Sequence, residues 1–171
     1  ADDLPNPKMA VERIYLALSL GILSICYRSL AFNLDTKVPI VKEGVPDSYF
    51  GFSVAQHIVT NEGTGLVQNY VLVGAPRDNV TDPSALPQVR SIVRPGQVWS
   101  CPLSSFTDDC SALEVDREAP TSDEDKNDQW LGVSVASQGT PEGKAIACGH
   151  RYKEYGSTYR WGYGMCMSIG N

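Results

Sequence analysis

Histidine is scarce in this chain. His57 and His150 are the only two among 171 residues, and no H-E-x-x-H or comparable ligand spacing occurs. Metalloenzyme and histidine-based catalytic readings lose their main reagent. Basic side chains are also few: 14 Lys and Arg face 20 Asp and Glu, for a net charge of -6 and a pI near 4.8. That balance offers no footprint for phosphate backbones and excludes nucleic-acid binding as the default function. Long apolar runs are limited to Ile14–Tyr27, between Arg13 and Arg28. As a helix this run would span about 21 Å against a bilayer core of roughly 30 Å, too short for an anchor. Cysteine pairs of the C-x-x-C type are missing, which argues against a zinc site. The chain does hold 15 Gly and 11 Pro, a turn-rich count that favours short strands. Its 42% hydrophobic and 20% charged residues make it too apolar to be disordered.

The apolar run follows Lys8 and Arg13 and precedes the small residues Ser29 and Ala31, the layout of a secretory signal peptide cut between Ala31 and Phe32. Met9 is a natural initiator. The expected organisation is therefore upstream residues and signal peptide over 1–31 and a single domain over 32–171. Removing 1–31 takes three acids and three bases, so the net charge of -6 belongs to the mature part. It leaves Cys101, Cys110, Cys148 and Cys166, an even number bound for an oxidising compartment, where disulfides are the expected state. Three pairings are possible, and closure of neighbours in sequence is favoured because short loops close first. Asn79-Val80-Thr81 is a glycosylation sequon in the Pro- and Asp-rich stretch Ala75–Pro87, which reads as an exposed loop.

An internal repeat dominates the rest. Tyr49-Phe50-Gly51-Phe52-Ser53-Val54-Ala55 returns 81 residues later as Trp130-Leu131-Gly132-Val133-Ser134-Val135-Ala136. Each copy precedes a second apolar run ending in Gly: Tyr70–Gly74 with Ala75-Pro76, and Ala145–Gly149 with His150. A third run, Gly96–Cys101, has the character of a half-buried strand. The unit is a small antiparallel meander that cannot bury its faces alone and must stack on neighbours, as propeller blades do.

At these residues the chain resembles the N-terminal part of integrin α subunits, whose heads are seven-bladed β-propellers. The likeness begins at Phe32-Asn33-Leu34-Asp35-Thr36, runs through Ser48–Val54 and Leu72-Val73-Gly74-Ala75-Pro76-Arg77, and includes all four cysteines. Asp128–Val135 and Cys148-Gly149-His150-Arg151-Tyr152 look most like the laminin-binding branch. The resemblance implies an all-β partial propeller, about one and a half of seven blades, and pairing of Cys101 with Cys110 and of Cys148 with Cys166. It further implies heterodimerisation with an integrin β subunit, binding of extracellular matrix such as laminin, and a single-pass type I protein at the cell surface. Its membrane helix would lie beyond Asn171. In that family the residue two before the repeat glycine and the one after it face the propeller's upper axis, where aromatics cup a basic side chain of the β subunit. By that likeness Tyr49, Phe52 and Trp130 are partner contacts, and Val133 departs from the aromatic pattern. No cofactor is implied for this stretch; the family's calcium loops lie in later blades.

Catalytic patterns fail on their own chemistry. Gly51–Ala55 and Gly132–Ala136 resemble a nucleophile elbow, but Ala replaces the second Gly of the strained turn. Asp123, Asp125 and Asn127 have the spacing of a calcium loop, but Asp128 stands where Gly is needed and Ser134 where the closing carboxylate belongs. They read as a solvated acidic loop. An adhesion-receptor α subunit is the leading expectation, against a secreted β-rich glycan-binding module or hydrolase, which would need an acid pair or metal site.

Overall fold

The structure, a computed structural model, describes residues 15–16, 18–19, 39–61, 63–80, 82 and 84–169. It divides the chain into two compact units, Ala1–Pro39 and Ile40–Asn171. In the first, Tyr15, Leu16, Leu18 and Ser19 are helical, and Ser19 Oγ donates to the Leu16 carbonyl at 3.0 Å. The expected cleavage site and the Phe32–Thr36 stretch at which the resemblance begins lie outside the described residues. Among the described residues, no helix is long and apolar enough to cross a membrane.

The second unit is built of antiparallel sheets. Strands β1 (Ser53–Thr60), β2 (Val67–Ala75), β3 (Gln97–Pro102) and β4 (Ser111–Ala112) form a four-stranded meander in chain order. At the β1–β2 turn, the Asn61 carboxamide oxygen accepts from the Gly63 and Thr64 N–H groups at 3.0 and 3.1 Å. This is the local bonding that suits Asn to tight turns. The inner half of β2, Leu72–Ala75, is buried throughout, as in a strand covered on both faces.

Strand β5 (Glu124–Asp125) follows, then β6 (Ser134–Ser137) and β7 (Ala145–Gly149), then the hairpin β8 (Lys153–Tyr155) and β9 (Arg160–Gly162), and last β10 (Met165–Ile169). The second sheet has the order β10-β7-β6, and β5-β8-β9 make a third. Leu72 and Val98 of the first sheet pack with Leu131, Val135, Ala145, Ala147 and Ile169 in one buried cluster. The two repeat units thus share a core, and burying this apolar surface is the main force holding them together. The chain is all-β, as the repeat implies.

Main chain also touches main chain between the units. Leu131 N–H donates to the Pro95 carbonyl at 2.9 Å, and Gly96 bridges Leu131 in parallel. A Cβ on Gly74 would lie 1.9 Å from the Gly132 carbonyl oxygen, so only glycine allows the approach. Ser53 Oγ donates to that same oxygen at 2.8 Å, and His57 Nδ1 lies 2.9 Å from Ser137 Oγ. Both elbow-like serines, Ser53 and Ser134, lie in strands. The structure joins Cys101 to Cys110 and Cys148 to Cys166. The second bond ties residues directly opposite in the β7–β10 register.

Two readings need correction. Ala75–Pro87 is only partly an exposed loop: Ala75, Asp78 and Ala85 are buried. The Asp78 carboxylate accepts from Trp99 Nε1 and from the Asn79 N–H, both at 2.9 Å. Burial raises the Asp78 carboxyl above its usual range, and those two bonds only partly offset it. Of Asp123, Asp125 and Asn127, the first and last are exposed as a solvated acidic loop requires, but Asp125 is not free. Asp125 lies in β5, where its carboxylate accepts from Tyr155 Oη at 2.6 Å and from Lys153 Nζ at 3.2 Å. Burial pushes the Asp125 carboxyl up, but the bonds from Tyr155, the Asn127 N–H and Lys153 outweigh it and bring it down to about 2. Among the described residues, no group of three or more His, Cys, Asp and Glu could hold a metal ion.

Candidate partner-binding site

The repeat is reproduced residue by residue in the backbone. Asp47, Tyr49 and Gly51 have positive φ of 63, 59 and 90°, and Asp128, Trp130 and Gly132 follow with 51, 63 and 90°. Left-handed non-glycine residues are uncommon, so a matched series marks a specified shape and not a coincidence of composition. The loop is closed alike in both copies: Phe52 N–H donates to the Tyr49 carbonyl at 3.0 Å, and Val133 N–H to that of Trp130 at 3.1 Å. The preceding residue is buried and polar each time. Ser48 Oγ donates to the Val45 carbonyl at 2.6 Å, while Gln129 Nε2 donates to Asp116 Oδ2 at 2.9 Å. Asp116 is ion-paired at 2.6 Å with Lys126, and both side chains are buried. Breaking such a pair from one side costs about 3–5 kcal/mol, so the loop carrying Trp130 is firmly fixed.

These loops place the sequence-predicted aromatics together. Tyr49 lies 6.4 Å from Phe52, nearly parallel at 16°, and 6.1 Å from Trp130, edge-on at 89°. Phe52 and Trp130 are 6.3 Å apart, and His150 meets Trp130 edge-on at 5.6 Å. Such pairs contribute about 0.5–1.5 kcal/mol each beyond area burial. Tyr49 and Phe52 nevertheless remain 45% and 53% exposed, so a good part of the cluster is turned to solvent. Val133 is half-buried.

Two arginines that the repeat does not announce complete the site. Arg77 lies over the Tyr49 ring, 4.9 Å from its centroid, and Arg151 over Trp130 at 5.4 Å. Their backbones are held alike: Arg77 N–H donates to the Ser48 carbonyl at 3.0 Å and Arg151 N–H to the Gln129 carbonyl at 3.1 Å. Arg77 stands three residues after Gly74, but Arg151 only two after Gly149, and this change of spacing hides the equivalence in the sequence. Asn79 is exposed, with its side-chain oxygen accepting from the Arg94 N–H at 2.8 Å, while Thr81 of the sequon lies outside the described residues. Asn79 and the four cysteines lie outside this ring cluster.

No family model matches the chain. Individual proteins do: it is 43% identical over 139 residues to "Integrin alpha-7" of Homo sapiens, an alignment covering 81% of this chain. The chain belongs to the integrin α family. "Integrin alpha-3" of Cricetulus griseus is 40% identical over 141 residues and "Integrin alpha-6" of Homo sapiens 42% over 141, each again across 81% of the chain. The integrin α chains are far longer, and this one spans 11–12% of these relatives' length.

Proposed function

We propose that these residues open the propeller head of a cell-surface integrin α chain, an adhesion receptor subunit and not an enzyme. In this reading it pairs with an integrin β subunit and binds extracellular matrix, laminin being the ligand that the resemblance implies. The single observation that carries the reading is the partly exposed cluster of Tyr49, Phe52 and Trp130, drawn from both repeat units onto one surface. Large rings at the centre of an interface are its usual hot spots, and a ring face attracts a cation by about 0.5–2 kcal/mol. Tyr49 and Trp130 each already carry an arginine of this chain, whereas Phe52 carries none among the described residues, which makes it the ring for an incoming cation. Secretory entry by cleavage after Ala31, a glycan on Asn79, and anchoring by a single helix outside this stretch belong to the same proposal.

The test is Phe52→Ala in the full-length subunit. Surface heterodimer should fall about tenfold or more, the loss of a hot-spot ring, while a conformation-sensitive antibody to the head still binds. Undiminished β association with that antibody bound would reject the contact role.

A further inference from the structure

Arg77 and Arg151 are set up alike, and neither takes part in an ion pair among the described residues. Lys42, Arg94, Arg117, Lys126 and Lys153 do find carboxylates, while Arg90, Lys144 and Arg160 find none among the described residues, so it is their matched placement beside the ring cluster that sets Arg77 and Arg151 apart. Each guanidinium is stacked over a ring and each backbone is tied at the matching carbonyl. Arg77 makes one further bond, donating from its terminal nitrogen to Tyr49 Oη at 3.1 Å. Arg151 is exposed and Arg77 half-buried. A guanidinium held over a ring by its face keeps N–H donors along its edge, the edge that takes a carboxylate in a two-pronged bond, although on Arg77 one terminal nitrogen is already given to Tyr49. The stack also removes rotamer freedom in advance, so less order has to be imposed on binding.

We infer that Arg77 and Arg151 are two equivalent carboxylate receptors on the rim of the aromatic cluster, and that the partner segment seated there carries acidic side chains beside its apolar or cationic anchor. This rests on the heterodimer reading and adds to it the charge pattern of the partner. An exposed ion pair in water is worth little, but docking over the rings withdraws these pairs from solvent, where charge complementarity governs both encounter and persistence.

The experiment uses the full-length subunit co-expressed with an integrin β subunit, with surface heterodimer and co-capture measured at low and high salt. Arg77→Glu with Arg151→Glu should reduce pairing by about tenfold or more, and the Gln pair should reduce it less. The Lys pair, which keeps the charge, should stay within about threefold of the unaltered chain. A purely internal, ring-holding role would make the Gln and Glu pairs equally weak and leave the unaltered complex indifferent to salt; either result overturns the inference. Should the Glu pair lower the thermal transition of the head, the Gln pair and the salt dependence of the unaltered complex decide the question. Phe52→Ala separates the two proposals. Normal pairing of the Glu variant with loss in Phe52→Ala rejects the arginines alone, and normal pairing in both rejects the surface altogether.

Discussion

In the first repeat unit the four strands β1 to β4 follow one another from Ser53 to Ala112, and the Cys101–Cys110 bond closes the outer hairpin. In the second, the chain leaves the sheet after Gly149, builds the β8–β9 hairpin against β5, and re-enters at Met165 beside β7. The inner loops of the two units, by contrast, agree in their three left-handed residues and in their closing hydrogen bonds. What the units hold in common is main-chain geometry near the contact between them. What they vary is the outer side chains and the excursions, which do not set the stacking.

A methyl on the equivalent glycines should separate the two units most strongly. Gly51 and Gly132 share a φ of 90°, but a Cβ on Gly51 meets nothing within 4 Å, while one on Gly132 lies 2.7 Å from the Gln97 carbonyl oxygen and 3.0 Å from Gly74 Cα. Gly51→Ala should therefore cost only backbone strain, about 1–2 kcal/mol. Gly132→Ala should add a clash between backbones and cost more than about 3 kcal/mol. Thermal transitions of the head in the full-length subunit check the order, and equal losses would mean that the two loops are not distinguished by packing.

A smaller effect compares the disulfides. Each should constrain the unfolded chain by about 2–4 kcal/mol. The Cys148–Cys166 loop, with a separation of 18 against 9, should contribute about 0.6 kcal/mol more by loop entropy. Paired Cys→Ser variants of each bond, measured in parallel by thermal shift, test the difference. Non-reducing peptide mapping that recovered a Cys110–Cys148 link would contradict the framework itself.

The smallest effect is a difference of sign with pH. Asp125, whose folded carboxyl is held down at about 2, adds stability that is present above its unfolded value of about 3.9 and lost as pH falls from there through about 2. Asp78, whose carboxyl burial raises, shifts the other way and takes up its proton more readily folded than unfolded. Acid should therefore loosen the β5-β8-β9 sheet while sparing the Asp78–Trp99 contact. Hydrogen exchange of the amides of 153–162 against those of 97–102, followed from pH 5 downward, should show the first group opening earlier. Simultaneous opening would mean that the two carboxylates do not act locally.

The repeat was legible in the sequence because its signals are short-range and chemically narrow. Gly51 and Gly132 stand where a positive φ is required, an aromatic stands two before each, and apolar residues at strand spacing follow. The gathering of Tyr49, Phe52 and Trp130 followed from that register once the family likeness supplied the direction in which they face. The third sheet was not legible. Its strands are two or three residues long, and β5 pairs with β8 across nearly thirty residues, so no local periodicity marks it. Without that pairing Asp125 could only look like one of several solvated acids. The arginines escaped for another reason, since their equivalence lies in which carbonyl holds their N–H, and unequal spacing from the preceding glycine conceals it.

The Cys148–Cys166 bond joins opposite residues of neighbouring strands at the foot of the whole excursion, so residues 149–165 form a tongue sewn shut at the neck. A protease cutting at its tip, near Gly156 or Ser157, would leave both ends covalently fastened to the blade. The nick would pass unnoticed until a reductant released the strand beyond it. Changes of length or sequence in the tongue are likewise contained, because the covalent collar holds β7 and β10 in register whatever the tongue itself becomes.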